Sequence, residues 1–508
     1  MGLRAFGVGA LGVALACAIG VHAETPTKAA TDQAAANTLA RSIFQELIEI
    51  DTTDSNGSVT AAAAAMEKRL RSAGFPANDL ALVGPTARKQ NLVARLRGTG
   101  EHRPVLLIGH LDVVEAHRED WTTDPFKFVE KDGYFYGRGT QDMKDGDAIM
   151  VTTFIRLEQS GFKPDRDIIL ALTADEEGGS ANGVDWLLKN RRDLVDAEFV
   201  LNHDGSSVVT DHGKLLYYEL DATEKVYRDF QLMVTNPGGH SSLPVPENAI
   251  YTLAAGLGRL EKLEFPFELN AVTRAYYEQT ANIETGQRAA DMRAILQTVP
   301  DPQAIARLSQ DPIDHAIMHT TCVATRLEGG HANNALPQRA IGVVNCRILP
   351  GHSPEEVRQT IIKVLSDKRI TVRYIDDNGQ VQDKASDRKG CEACLARVPC
   401  ERHPGQTASA QARADGCPAP QLRPEIMQPL ERLVSVNWPG LKVVPNMSVG
   451  ASDGVYTSAA GLPTYTVTGI AIDKDNERAH GRDERLGVES FYTGNEFFYQ
   501  YIRSLTSR

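Results

Sequence analysis

Residues 105–114 read VLLIGHLDVV, and residues 168–179 read IILALTADEEGG. Each is an unbroken apolar run that ends in ionisable groups. Runs apolar at consecutive positions fit strands buried on both faces, as in parallel sheets covered by helices. Residues 91–96 and 198–202 have the same form, and helical periodicity occupies 146–160 and 181–192. Alternation of such runs with amphipathic helices predicts an α/β fold, with a mostly parallel sheet flanked by helices. Open sheets of this kind build their sites beyond the carboxyl ends of the strands. His110, Asp112, Glu176 and Glu177 all fall there.

Outward from this centre the chain divides. Residues 24–38 are polar and Ala-rich and read as a flexible lead-in, and 39–75 have helical periodicity. The character changes near residue 226: strand-like 228–235, a loop PGGHSSLP, a helix over 247–263, then strands at 320–327 and 339–348. A helix at 354–366 and a strand at 370–375 complete an α+β unit. Expected boundaries are a signal peptide at 1–23, a catalytic domain at 24–225 and an inserted lid or dimerisation domain at 226–375. A surface insertion at 376–420 and a second catalytic portion at 421–508 follow.

The chain has 508 residues, 42% hydrophobic and 24% charged, which fits an ordinary globular protein of more than one domain. A net charge of -12 repels phosphate backbones and argues against a nucleic-acid partner. Arg4, a small apolar run from Ala5 to Val21, and Val21-His22-Ala23 as a small-x-small cleavage site together read as an export signal. No later stretch is long and apolar enough to span a bilayer, so a periplasmic or secreted mature chain is expected. Removing Cys17 with the signal leaves six of the seven cysteines, an even number that suggests disulfides in an oxidising compartment. Four of them, Cys391, Cys394, Cys400 and Cys417, fall in the insertion. Two disulfides are expected there, with three connectivities open.

The chemistry-bearing groups are spread along the chain. His110 and Asp112 end one apolar run, and side chains two apart on a strand share a face. Imidazole nitrogen binds zinc, and a nearby carboxylate can hold the ring. Asp142 lies in the Gly-rich segment GRGTQDMKDG, where one carboxylate could bridge two cations. Glu176 and Glu177 are adjacent, and two carboxylates at one strand end repel unless a cation or shared proton compensates. One can bind metal while the other acts as general base. Asp204 follows another apolar run in FVLNHDG, and His480 lies in the polar segment ERAHGRDER. Two histidines, three carboxylates and a spare glutamate suit two zinc ions that share a bridge.

In this order, GHLDVV, GRGTQDMKDG, TADEEGG and AHGRDER resemble the di-zinc metallopeptidases that include aminoacylase, acetylornithine deacetylase, succinyl-diaminopimelate desuccinylase and glutamate carboxypeptidase. The resemblance runs from about residue 40 to 505 and implies a zinc-exopeptidase-like sheet with an inserted lid. It implies that His110, Asp142 and Asp204 hold one zinc, and that Asp142, Glu177 and His480 hold the other. Cobalt or manganese could replace zinc. Glu176 would be the general base and Asp112 would orient His110. Many relatives carry Glu where this chain has Asp204. The resemblance also implies a cis peptide after Asp142. His240 in GGHSS would contact the reacting carbonyl oxygen, Asn334 in GGHANNALP would bind substrate, and Arg347 in NCRILPG would receive a substrate carboxylate.

The implied activity is hydrolysis of an amide next to a free carboxylate, in an exopeptidase of carboxypeptidase or dipeptidase type. N-acyl-amino-acid deacylation is the alternative, and a non-catalytic binding protein on the same fold would lack one of the motif residues. The substrate is then a small peptide or an N-acyl amino acid. A homodimer is expected from the lid strand and helix, with a monomer as the alternative given the extra helical material at 264–318.

Overall fold

A computed structural model describes residues 28–205, 207–376, 379–385, 422–473 and 476–507. The expected signal peptide and the four cysteines of the insertion lie outside them. Among the described residues no helix is long and apolar enough to cross a membrane.

Among the described residues the larger sheet has ten strands. At its centre, strands Ile168–Thr173, Val105–His110, Phe199–Asn202 and Thr464–Thr466 lie side by side, each parallel to its neighbour. The first two are buried at every position, as their unbroken apolar sequences require. Antiparallel strands extend the sheet on both sides, among them Lys89–Leu96 and Lys214–Glu224. Because the central strands run one way, their carboxyl ends share one edge. That edge receives His110, Asp112, Asp175 to Glu177 and Asp204 together.

One face of the sheet is covered by helices Lys28–Glu49, Val59–Ser72, Lys144–Gln159, Pro424–Asn437 and Val488–Leu505, in one continuous apolar core. The helix beginning at Lys28 takes in most of the stretch read from sequence as a flexible lead-in. Ala36 continues backward by one position the buried stripe of Ala40, Ile43, Phe44 and Leu47 inside the expected helix. Small alanines at these positions leave a weak hydrophobic signal but fit closely against the core.

The smaller sheet is antiparallel, in the order Thr321–Gly329, Arg339–Ile348, Val226–Thr235, Thr371–Ile375, Val381–Gln382. Buried and partly exposed residues alternate along Arg339–Ile348, as expected for a sheet with one packed face. Helices Ala249–Leu260 and Pro354–Leu365 share its core. Strand Thr321–Gly329 forms one edge and is exposed over most of its length. A disulfide ties it to its neighbour through Cys322 and Cys346, which are register partners.

The extra segment forms four helices, Ala271–Thr280, Gly286–Ile295, Pro302–Leu308 and Pro312–Met318. Sequence reading assigned them to the lid, but their apolar cluster takes in Val444 of strand Val443–Ser448, which belongs to the larger sheet. Pro302 and Pro312 start two of these helices behind Asp301 and Asp311, whose side chains cap them.

Candidate metal centre

His110, Asp142, Glu176, Glu177, Asp204 and His480 come together at the carboxyl edge of the larger sheet. His110 is the last residue of its strand and is buried. Its Nε2 lies 3.0 Å from Asp142 Oδ1 and 4.0 Å from Glu176 Oε2. The other Asp142 oxygen lies 3.0 Å from His480 Nε2. The same nitrogen of His480 is 2.9 Å from each carboxylate oxygen of Glu177. Asp142 thus faces one imidazole with each oxygen. Asp204 comes within Coulombic reach of Asp142, His110 and Glu177.

Local backbone sets these positions. The Asp142–Met143 peptide is cis. Asp175 and His480 adopt positive φ, 57° and 62°, which turns the chain sharply just beside Glu176 and at the His480 imidazole. The Asp112 carboxylate accepts the backbone N–H groups of Glu176 and Glu177 at 3.2 and 3.0 Å. Its contact with His110 differs from the expected one. The main-chain oxygen of Asp112, not the carboxylate, bonds His110 Nδ1 at 3.1 Å, and the nearer carboxylate oxygen stays at 3.8 Å.

The electrostatics are those of crowded carboxylates around two imidazoles. Burial opposes charge on His110, but Asp142, Glu176 and Asp112 outweigh it and raise its pKa well above the ordinary value. Hydrogen bonds that His480 donates to Asp142 and Glu177 raise its pKa to about 10. Burial lifts the Glu176 carboxyl to about 10, with Asp204, Asp453 and Glu177 adding repulsion against the pull of His110. Burial and the Asp142 charge lift Asp204 to about 7.

The donor set fits a cation. One ligand atom each from His110, Asp142 and Glu177 lies within 4.8 Å of the others. His110 Nε2 and Asp142 Oδ1 are buried and face each other at 3.0 Å, each without a hydrogen-bond partner besides the other. Buried polar atoms are nearly always satisfied, and a shared metal ion would satisfy both.

Residues 106–504 match the peptidase family M20/M25/M40. The chain belongs to this family. M20 relatives include the human N-fatty-acyl-amino acid synthase/hydrolase PM20D1, 26% identical over 411 residues, covering 79% of this chain and 74% of the relative. The probable carboxypeptidase S-like 2 of Dictyostelium discoideum is 26% identical over 424 residues, covering 82% and 74%. Among solved structures, the M20 metallo-carboxypeptidase Sso-CP2 of Sulfolobus solfataricus superposes with a TM-score of 0.64 at 16% identity, covering 92% of this chain and 99% of that one. At that identity the likeness speaks for the M20 fold: a large mostly parallel sheet flanked by helices.

The remaining candidates of this M20 chain lie on the smaller sheet and its loops. His240 is exposed, its Nδ1 bonded to Ser242 Oγ at 2.7 Å. It pairs with Ala335 in a two-stranded ladder, and the Asn334 carbonyl accepts the Ser241 N–H at 3.0 Å. His240 and Asn334 are therefore neighbours. Arg347 stacks its guanidinium 4.7 Å from the Tyr227 ring centroid. Among the described residues no hydrogen bond or ion pair joins these three to the strand-end cluster.

Three further members of the site were not named individually from sequence. Asp453, in the loop GASDG, is buried, accepts from Asn182 Nδ2 at 2.6 Å and Thr173 Oγ1 at 3.2 Å, and presses on Glu176 and Asp112. Arg138 and Glu484 are buried within motifs that were quoted for other residues. Their closeness in sequence to Asp142 and His480 was the available signal.

Proposed function

We propose that this M20 chain uses two divalent cations, zinc above all, to hydrolyse the amide that joins an acyl or peptidyl group to an amino acid with a free carboxylate. The observation that carries the reading is Asp142, with one oxygen facing His110 and the other facing His480 and Glu177 beside it. Mixed imidazole and carboxylate donors suit zinc, with cobalt or manganese able to substitute. His110, Asp142 and Asp204 would hold one ion, and Asp142, Glu177 and His480 the other. When bound, the ions supply the positive charge that acidifies a water and polarises the scissile carbonyl.

The residues then divide the work. Glu176, ionised once the charge of the cations would offset its burial, takes the proton of the attacking water and returns it to the leaving amine nitrogen. Asp112 fixes the turn that carries Glu176 and Glu177. His240 donates to the carbonyl oxygen as charge develops there, with Nδ1 pinned by Ser242 so that Nε2 is free to do so. Arg347 pairs with the substrate carboxylate through its planar fork, and Asn334 steadies the substrate beside His240.

Exopeptidase action, of carboxypeptidase or dipeptidase type, is the leading reading. A second reading, hydrolysis of N-acyl amino acids, is favoured by Leu243 and Val245, which stand 73% and 49% exposed just beyond His240. They offer an apolar surface to an acyl chain. Export to an oxidising compartment is supported by the signal-like sequence at 1–23 and the Cys322–Cys346 pair. A homodimer through the smaller sheet is supported by its exposed edge strand, with Val323 and Leu327 58% and 67% exposed.

The test is a substrate panel with metal-loaded protein: dipeptides, longer peptides, N-acetyl and N-fatty-acyl amino acids, and the C-terminal amides of each. Hydrolysis of free acids that is abolished by a chelator is expected. Equal turnover of the amides would remove the carboxylate requirement. Turnover unaffected by chelation would remove the metal centre.

A further inference from the structure

The loop that carries Asp142 and the loop that carries His480 come from distant parts of the chain, yet they are stitched together beneath the proposed metal site. Arg138 and Glu484 form the seam. Both are buried, 3% and 0% exposed, and Arg138 Nη1 donates to Glu484 Oε2 at 2.6 Å. The other oxygen of Glu484 accepts the backbone N–H of Gln141 at 2.7 Å and that of Asp142 at 3.3 Å. The second arm of Arg138 donates to the main-chain oxygen of His480 at 3.3 Å. Each member of the pair thus grips the backbone of a residue whose side chain enters the cluster, and each grips the loop opposite its own.

Gln141 repeats the pattern one layer away. Its amide nitrogen donates to the carbonyls of Asn476 and Arg485 at 3.2 and 2.7 Å, and its oxygen accepts the Arg478 N–H at 2.7 Å. Trp121 closes the outer side, with the Arg138 guanidinium carbon 5.0 Å from its ring centroid.

A buried ion pair adds little net stability, because desolvating two charges offsets most of their attraction. An apolar pair of similar volume would hold the loops as well if stability alone were at stake. What an apolar pair lacks is direction: it cannot bond two backbone N–H groups on one side and a carbonyl on the other.

We propose that Arg138 and Glu484 are positioning residues for the cation pair, setting the separation of Asp142 from His480 by holding the two loops at fixed distance. The proposal rests on the metal-centre reading above and deepens it. It assigns the fine geometry of the His480-side ion to residues that touch neither ion nor substrate. Outer residues that orient metal ligands typically contribute roughly 10–100-fold in metal affinity.

The test uses the full-length chain stripped of metal, with zinc titrated in competition with a chromophoric chelator. Wild type, Glu484→Gln, Arg138→Met and the double variant are compared. Wild type should bind two ions. In each single variant one ion should bind about 10–100-fold more weakly while the other is held as before. The double variant should be little worse than either single, because the two side chains act as one unit. Excess zinc should return kcat towards the wild-type value. The metal-free unfolding midpoint of Arg138→Met supplies a readout that a merely structural role would move in step with metal affinity. If Glu484→Gln does not fold, Arg138→Met carries the comparison. Two ions bound with wild-type affinity in a folded variant would overturn the proposal, as would affinity lost only in proportion to metal-free stability. Wild type that binds no divalent ion would overturn the metal-centre reading and this one together.

Discussion

The carboxylate of Asp112 holds the backbone of Glu177, accepting its N–H at 3.0 Å from the end of a neighbouring strand. Its other oxygen takes the N–H of Glu176 at 3.2 Å. One side chain therefore fixes the turn on which both glutamates stand, while its own main-chain oxygen holds the His110 ring.

Asp112→Asn tests this relation. The amide can accept one of the two N–H groups but turns its own NH2 towards the other, leaving a buried donor facing a donor. We expect kcat/KM to fall about 10–100-fold, with weaker metal binding, as for other outer partners of a metal site. Steady-state kinetics together with metal content checks it. Activity within twofold of wild type would show that the turn holds its shape without Asp112.

Glu176 and Glu177 are adjacent and should nonetheless separate cleanly. Glu176 lies 4.0 Å from His110, and Glu177 lies 2.9 Å from His480. Glu176→Gln should lower kcat by roughly two to four orders of magnitude, the range of general acid–base catalysis, with both ions retained. Glu177→Gln should lose the His480-side ion. Metal analysis of the two variants decides the assignment, and the reverse pattern would swap their roles.

Lys225 makes a prediction about pH. It sits between strand Lys214–Glu224 and strand Val226–Thr235, where the chain passes from the larger sheet to the smaller. Its side chain is fully buried, and Nζ donates to the carbonyls of Ala316 and His319 and to Thr321 Oγ1. Burial, then the charge of Arg347, lowers its pKa to about 7, and His315 also lies within Coulombic reach. The unfolded chain has the ordinary lysine value near 10.4, so between about pH 7 and 10 it binds more protons than the folded one. Stability from this group therefore rises with pH across that window, and below pH 7 the full penalty of burying the ammonium is present. Relative to Lys225→Met, wild type should gain on the order of 1–3 kcal/mol from pH 7 to 9. Denaturant midpoints at both pH values measure it, and parallel slopes for the two proteins would contradict it.

How far the sequence could be read depended on where each residue sends its signal. Strands Val105–His110 and Ile168–Thr173 announce themselves because burial on both faces leaves no polar interruption. The carboxylates and His110 were legible because ionisable groups at the ends of such strands are conspicuous. Helix Lys28–Glu49 was half hidden, since the first buried positions along its described part are alanines, Ala36 and Ala40, which weigh little in any hydrophobic pattern. The packing of helix Ala271–Thr280 on strand Val443–Ser448 had no local signature at all. Arg138 and Glu484 were hidden for a different reason. Charged residues in polar loops read as solvated, and only the meeting of two distant segments shows them buried.

His240 is expected to serve the active site of a second copy of the chain. Its imidazole is exposed and bonded to Ser242, and its nearest ladder partner is Ala335 of the smaller sheet. Nothing among the described residues ties it to Asp142 or Glu176 of the same chain. The edge strand Thr321–Gly329 of that sheet leaves Val323 and Leu327 exposed, and beside it Tyr251 of helix Ala249–Leu260 stands 73% exposed. Exposed edge strands invite pairing with another copy, and a two-fold arrangement would present the same surface from both chains. Such a pair could carry His240 of each chain towards the strand-end cluster of the other. Complementation reads this directly. Glu176→Gln chains lack the base, and His240→Ala chains lack the donor to the carbonyl oxygen. Each alone should be nearly inactive. After subunit exchange, confirmed by differently tagged chains, a crossed dimer holds one site with Glu176 from one chain and His240 from the other. Activity should then return to at most about half of wild type per mixed dimer, since symmetry leaves its second site doubly defective. Confirmed exchange without recovery would place His240 within its own chain's site or outside the reaction altogether.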